Sequence, residues 1–196
     1  MSLRNPIPII IVGPSGVGKS TIIERIAALF PQVETFKTTT TRAPRHSADN
    51  RYHFVSREEF EQMIKDNEFL EWTETHGNLY GTERKIIDDI IDRGKFPLPS
   101  NAIDVVGVEA YKKKFPDLLA IFIAYDSLEE LPRRIRRTRP EASEDEINKR
   151  LATAKEEMSA VTHFEYVVRN HEGKIDESVA AVANIIVKAL KLQPAH

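Results

Sequence analysis

The stretch "IPIIIVGPSGVGKSTIIERIAALF", Ile7 to Phe30, decides the fold. At its centre Gly13, Gly18, Lys19 and Ser20 satisfy the spacing G-x-x-x-x-G-K-[ST]. Glycines in that pattern leave backbone N–H groups free to wrap around phosphate oxygens, and a helix beginning immediately afterwards points its positive end at them. Lys19 adds a mobile charge for the β and γ phosphates, and the Ser20 hydroxyl is placed to ligand a Mg²⁺ that bridges them. The plain alternative is a glycine-rich turn. With glycine at ~7% of residues, however, a chance match to the four fixed positions in a chain of this length is on the order of 1%. The flanks also agree with the motif. "IPIIIV" is uniformly apolar, as a strand buried on both faces of a parallel sheet is, and Ile22, Ile23, Ile26, Ala27 and Phe30 recur at helical spacing. Strand, loop and helix in that order predict a site for a nucleoside triphosphate, formed by Gly13, Ser15, Gly16, Gly18, Lys19, Ser20 and Thr21.

The rest of the composition narrows the class. A chain of 196 residues suits one core with inserted subdomains. Its formal net charge of -2 and pI near 6.3 give no bulk attraction to nucleic acid or to a membrane surface. Cysteine is absent, which excludes disulfides and thiolate metal sites, and no apolar run approaches the ~20 residues that span a bilayer. The six histidines show no metal-ligand spacing. "MSLRNPIPIII" lacks a small-residue cleavage site and its apolar run already serves as the first strand, so a cytoplasmic protein without a signal peptide is expected.

Further along, "ETFKTTTTRAPR" starts β-prone and turns cationic, and "RYHFV" reads as a short strand. Ser56 with Glu59 forms a capping box for a short helix running to about Asp66. "EFLEWTETHGNLYGT" alternates as strand, turn and strand, so residues 38 to 82 predict a small mixed subdomain. "ERKIIDDIIDRG" is a helix ending at Gly94. "AIDVVGV" and "LLAIFIAY" read as two further apolar strands, each followed by a helical stretch, which is the alternation of a doubly covered parallel sheet. "KFPLPS", with Pro97 and Pro99, reads as a distorted lead-in, with pairing starting near Asn101, because proline cannot donate to a ladder. After Leu131 comes a charged helical stretch broken at Pro140, with Ser143 and Glu146 as a second capping box. "FEYVVRN" supplies a last strand and "IDESVAAVANIIVKALKL" a closing amphipathic helix.

With the phosphate loop, "TTTTRAPR", "FLEW" followed by "HGNLYGT", and the arginine-rich stretch all in order, the chain resembles guanylate kinase along nearly its full length. The resemblance implies an α/β fold of the P-loop nucleoside monophosphate kinases and transfer of the γ-phosphate of ATP to GMP with Mg²⁺. It implies a core from residues 1–37, 83–130 and 160–196, an acceptor-binding subdomain from 38–82 and a lid from 131–159. Small-molecule nucleotides are the expected partners, without nucleic acid or membrane, in a monomer or weak homo-oligomer.

The resemblance also assigns roles that make chemical sense residue by residue. Arg42 and Arg45 hold the acceptor's 5′-phosphate, since guanidinium forks match phosphate oxygens and stay charged. Tyr52 and Tyr80 add hydroxyl donors, and Thr38 lies near the base. The other threonines, Thr39 to Thr41, read equally well as β-branched strand. Glu71 reads the base: a carboxylate accepts from both N1–H and the N2 amine of guanine, whereas adenine has an acceptor at N1 and no N2 amine. Phe69, Leu70 and Trp72 predict a buried setting for it, and Thr82 donates to guanine O6. The catalytic set is Lys19, Arg42, Arg134, Arg139 and Arg150, with the middle lid arginine open between Arg137 and Arg139. Mg²⁺ falls to Ser20 and Asp104, and Asp104 also faces the acceptor. Where the family pattern has two acidic residues flanking an apolar one, this chain has Ala102, Ile103 and Asp104, and its loop after Arg45 is short. Two other functions fit parts of the pattern: a P-loop kinase for another phosphorylated acceptor such as a sugar phosphate, and a non-catalytic guanylate-kinase-like binding module.

Overall fold

The computed structural model describes residues 5–44, 49–50, 52–75, 77–101, 103, 105–138 and 140–195. Its first strand, β1 (Ile9–Val12), is buried throughout, and its side chains divide by parity between two layers of helix. Ile9 and Ile11 pack with Ile22, Ile23 and Ile26 of α1 (Lys19–Leu29) and with Val182 and Ile186 of the last helix (Ile175–Leu190). Ile10 and Val12 instead pack with Ile87 and Ile90 of a helix at Arg84–Asp92 and with Val108 and Tyr111 of a helix at Val105–Lys114. This is the two-residue period of a strand covered on both faces, and it explains why the run "IIIV" shows no polar alternation.

In chain order the remaining elements are β2 (Val33–Phe36), β3 (Thr39–Thr40), β4 (His53–Phe54), α2 (Arg57–Lys65), β5 (Phe69–Thr75), β6 (Asn78–Glu83), α3 (Arg84–Asp92), β7 (Phe96–Pro99), α4 (Val105–Lys114), β8 (Leu119–Tyr125), α5 (Leu131–Thr138), α6 (Glu144–Ser159), β9 (Tyr166–Asn170) and α7 (Ile175–Leu190). β1 pairs with β8 and β8 with β9, all parallel, so that Val12 lies opposite Phe122 and Tyr125 opposite Asn170. The expected α/β architecture is therefore present, with the phosphate loop at the carboxyl end of β1.

Two expectations about the sheet are corrected. "AIDVVGV" is not the strand expected: from Val105 onward, where its residues are described without a break, it is α4. A short apolar run carries no period that separates a buried strand from a buried helix turn. The strand lies just before it, at "FPLP", which is buried throughout and where Pro97 and Pro99 sit inside a parallel ladder with β2 rather than ahead of one. Strand parity makes this possible. The N–H groups of Phe96 and Ser100 donate to Gln32 and Phe36 on the β2 side, at 2.9 and 2.8 Å, which turns the nitrogens of Pro97 and Pro99 to the opposite side, toward β1. The donors that proline lacks are those that would face β1. Among the described residues no ladder joins β7 to β1, although the two strands lie alongside each other.

A separate sheet of order β4-β3-β6-β5 is built from the segment read as a mixed subdomain. α2 closes one side of it, stacking Phe60 on Phe69 at 4.3 Å between ring centroids. The Ser56 and Glu59 box is formed in both directions, by Glu59 N–H to Ser56 Oγ at 3.1 Å and Ser56 N–H to a Glu59 carboxylate oxygen at 2.7 Å. At the second box Ser143 Oγ accepts from the Glu146 N–H, and the Glu146 carboxylate accepts from Arg150 Nε. Among the described residues no helix is long and apolar enough to cross a membrane.

Candidate active site

The loop between β1 and α1 lines a cavity of about 740 Å³ with Ser15, Gly16 and Gly18, and the first turn of α1 adds Ser20 and Thr21. α5 and α6 contribute Arg134, Arg137 and Arg150 to the same cavity, the end of β9 contributes Asn170, and the turn after it contributes Glu172. Lys19 is bonded back to its own loop through the carbonyls of Gly13 and, at 2.7 Å, Pro14. Burial lowers its pKa from the ordinary 10.5 to about 8, against the opposing influence of the Glu157 carboxylate. That carboxylate, on α6, accepts from the Ser15 N–H at 3.3 Å and so sits against the loop's donors.

The predicted lid arginines differ in their surroundings. Arg134 is buried: it donates to the Asn170 carbonyl at 3.2 Å, pairs with Glu130 at 3.1 Å and lies 5.2 Å from the Tyr125 ring centroid. Arg150 reaches the Ser15 hydroxyl at 3.5 Å. Arg137 is exposed and pairs with Glu172, which Arg133 also engages and which is held below the usual carboxylate range by those guanidinium groups. Arg139 lies outside the described residues, as do Arg45, Ala102 and Asp104.

A second cavity, of about 210 Å³, opens on the β4-β3-β6-β5 sheet and is lined by Thr38, Tyr52, Glu71, Tyr80 and Ile103. Tyr52 and Tyr80 meet edge to face at 5.9 Å. Arg42 lies over the Tyr52 and Phe54 rings at 5.3 and 5.7 Å and pairs with the buried Asp49 carboxylate at 3.1 Å. Thus the cation expected to hold a phosphate lies beside the pocket that holds the expected base reader. Glu71 is partly buried, but not by all three neighbours expected to bury it: Phe69 is buried, Leu70 half-buried, and Trp72 is 49% exposed. A register shift between Phe69 and Glu71 accompanies this change of face.

Thr82 does not line that cavity. Its hydroxyl is fully buried, accepts from Tyr111 at 3.1 Å and donates to a Glu71 carboxylate oxygen at 2.7 Å. With its only hydrogen given to Glu71, Thr82 fixes the carboxylate. Tyr111 is a dependable donor, since burial raises its pKa well above the ordinary range. Thr39 and Thr40 are spent on structure, donating to Glu83 and to the Leu79 carbonyl. Sequence reading missed Tyr111, Asp49, Tyr125, Asn170 and Glu157, none of which belongs to a local motif.

A phosphate loop at the end of the first parallel strand, cationic side chains above it, and a carboxylate pocket on a separate sheet define a P-loop kinase of the nucleotide-phosphorylating kind. Residues 5–189 match the family model described as guanylate kinase. The chain is 39% identical over 180 residues to a guanylate kinase of Prochlorococcus marinus subsp. pastoris, covering 91% of this chain and 95% of that one. It is 39% identical over 182 residues to one from Rubrobacter xylanophilus, covering 91% and 94%. Among solved structures it is similar to the guanylate kinase of Anaplasma phagocytophilum, with a TM-score of 0.73, 28% identity, and coverage of 96% and 88%. The chain belongs to the guanylate kinase family.

Proposed function

We propose that the reaction of this chain, transfer of a phosphoryl group from ATP to GMP, is divided between its two cavities, with the triphosphate and Mg²⁺ on the phosphate loop and guanine against Glu71. The observation that carries this reading is the Tyr111–Thr82–Glu71 chain of hydrogen bonds, which aims an acceptor-only carboxylate into a pocket of the β4-β3-β6-β5 sheet. Guanine offers N1–H and N2–H to such a group, and adenine offers a lone pair at N1 that is left unpaired. Arg42, with Arg45 carried over from the family pattern, takes the 5′-phosphate beside Tyr52 and Tyr80.

The residues present fit Mg²⁺. Ser20 is exposed in the larger cavity, where its hydroxyl is open to a bound ion. A hydroxyl oxygen suits Mg²⁺, an ion that takes one or two protein ligands and otherwise phosphate and water oxygens. Asp104 is the second proposed ligand, on the resemblance alone. Bound there, Mg²⁺ neutralises charge on the β and γ phosphates. Lys19, Arg134 and Arg150 stabilise charge spreading onto the transferred group, with Arg137 or Arg139 completing the set. No general base is required, since a phosphate-monoester oxygen is already an anionic nucleophile. Residues 131–159 act as the lid that excludes water, 38–82 as the acceptor-binding part, and the remainder as the core. A cytoplasmic location, as a monomer or weak homo-oligomer, completes the proposal.

A coupled assay of ADP release across GMP, AMP, CMP, UMP and a set of sugar phosphates tests it. GMP is expected to be the best acceptor by a wide margin. Turnover of a sugar phosphate without turnover of GMP contradicts the reading, as does binding of both nucleotides with no transfer.

A further inference from the structure

The phosphate loop is held from behind by two side chains that no local motif contains. Tyr125 and Asn170 are the last residues of β8 and β9 and lie directly opposite each other in the parallel register, so their side chains leave the sheet on the same face. The face is that of Ile121 and Ile123, which pack in the α1 layer. From there the Tyr125 hydroxyl donates to the Ser15 carbonyl at 2.6 Å, and Asn170 Nδ2 donates to the Val17 carbonyl at 2.6 Å. Ser178 Oγ donates to Asn170 Oδ1 at 2.8 Å, which fixes the amide so that its nitrogen faces the loop. Asn170 and Ser178 are 5% and 2% exposed, so both bonds are made away from water, where they direct geometry most strongly.

Each of these carbonyls belongs to a peptide plane whose N–H belongs to a glycine. The Ser15 carbonyl shares its plane with the Gly16 N–H, and the Val17 carbonyl with the Gly18 N–H. In a trans peptide the two groups point in opposite directions, so a carbonyl held toward the sheet commits the following N–H to the other side. There is also a steric counterpart. A Cβ at Gly16 would come within 3.2 Å of the Tyr125 hydroxyl, and one at Gly18 within 2.7 Å of Asn170 Nδ2. At these two positions glycine admits the tethers as well as the positive φ of the loop.

We propose that Tyr125 and Asn170 form a brace that sets the phosphate-binding geometry of the loop by tying back the Ser15 and Val17 carbonyls, so that the Gly16 and Gly18 N–H groups are presented to the triphosphate. The same brace seats a lid arginine. The Arg134 guanidinium bonds the Asn170 carbonyl and lies over the Tyr125 ring, so loop donors and arginine are referenced to one pair of residues. Both are positioning residues. The Tyr125 hydroxyl, pushed up to about 12 mainly by burial, stays a neutral donor at every working pH. The assignment rests on the loop binding a triphosphate and is independent of which acceptor is used.

The test uses Tyr125→Phe, which removes only the hydroxyl, together with Ser178→Ala, which leaves Asn170 in place without its anchor, and Asn170→Ala. Binding of inorganic tripolyphosphate with Mg²⁺ is measured by calorimetry, and KM and kcat are measured for ATP and for GMP. Binding is expected to weaken about tenfold in Tyr125→Phe and at least as much in Asn170→Ala, with Ser178→Ala between wild type and Asn170→Ala. KM for ATP is expected to rise in parallel while KM for GMP stays within twofold. A merely structural role would lower the active fraction, reducing kcat while leaving both Michaelis constants and the tripolyphosphate affinity in place, and that result overturns the brace. Wild-type protein that fails to bind tripolyphosphate overturns the reading of the loop and the brace with it. Wild-type binding that is matched by folded Tyr125→Phe and Ser178→Ala overturns the brace alone.

Discussion

Thr82→Val isolates the positioning of Glu71. Valine keeps the branched outline of threonine in a site with no exposed surface, so the change is concentrated on the hydroxyl, and two hydrogen bonds are lost at once. The bond donated to Glu71 involves a charged acceptor and is worth about 1.5–3 kcal/mol, and the Tyr111 hydroxyl loses this acceptor at a cost of about 1–3 kcal/mol. Part of the first term returns, because Glu71 borders a cavity and regains hydration, so a net loss of about 3 kcal/mol is expected. In a chain of this size that corresponds to a fall in Tm of roughly 6–12 °C. The carboxylate, released from Thr82, then holds guanine less well: KM for GMP rises at least tenfold, equivalent to about 1.4 kcal/mol, while KM for ATP is unchanged. Tyr111→Phe is the companion variant. It leaves the Thr82–Glu71 bond intact, and should lower stability by about 0.5–1.5 kcal/mol with KM for GMP within twofold. Steady-state kinetics on both substrates alongside thermal melts decide the matter. A Thr82→Val protein with a lowered Tm and an unmoved KM for GMP refutes the assignment of Glu71 as the reader positioned by Thr82.

Lys19, with a pKa of about 8 in this structure, gives a pH dependence of definite sign. A bound triphosphate favours the charged lysine, so ATP affinity is level below about pH 7 and falls toward tenfold per unit above pH 8, with proton uptake visible in calorimetry when two buffers are compared. Folding responds the other way. The buried lysine binds fewer protons than the unfolded chain between pH 8 and 10.5, so its burial cost is relieved as pH rises through that window, and Lys19→Met removes both effects. Glu157 holds a loop donor, the Ser15 N–H, and places a negative charge near Lys19. Glu157→Gln should therefore lower KM for ATP several-fold without changing KM for GMP, and an unchanged or raised value contradicts a competing role for that carboxylate.

What was legible in the sequence was local. The phosphate loop could be read because strand, glycines, lysine and helix all fall within 24 consecutive residues, Ile7 to Phe30, and each follows from backbone rules of short range. The Ser56 capping box and the "EFLEWTETHGNLYGT" hairpin were readable for the same reason. The "AIDVVGV" run was misread because it is too short to show a period, and "FPLP" because the rule against proline in a ladder concerns one side of a strand, and a sequence does not say which side faces which neighbour. The supports of the site are distant in sequence. Tyr125 meets Ser15 across 110 positions, Glu157 meets Ser15 across 142, and Asn170 meets Val17 across 153, so only the register of β8 and β9 and the packing of α6 bring them to the loop. Thr82 shows the same limit at closer range: its place in the sequence suggested a donor to guanine, and its burial between Tyr111 and Glu71 shows where its hydrogen goes.

The central claim is that Glu71 selects guanine through two donors of the base, and the most direct measurement is kcat/KM for GMP, IMP and AMP with wild type and Glu71→Gln. IMP keeps N1–H and lacks the N2 amine, so it loses one of the two bonds, and AMP loses both. At about 1.5–3 kcal/mol for one hydrogen bond to a charged acceptor, wild type is expected to prefer GMP over IMP by about 10- to 150-fold and to use AMP least. In Glu71→Gln the amide keeps one acceptor and gains a donor that faces the donors of guanine, so the order should compress, with GMP falling much further than AMP. Equal use of GMP and IMP by wild type, or the same order of preference before and after the substitution, contradicts the account.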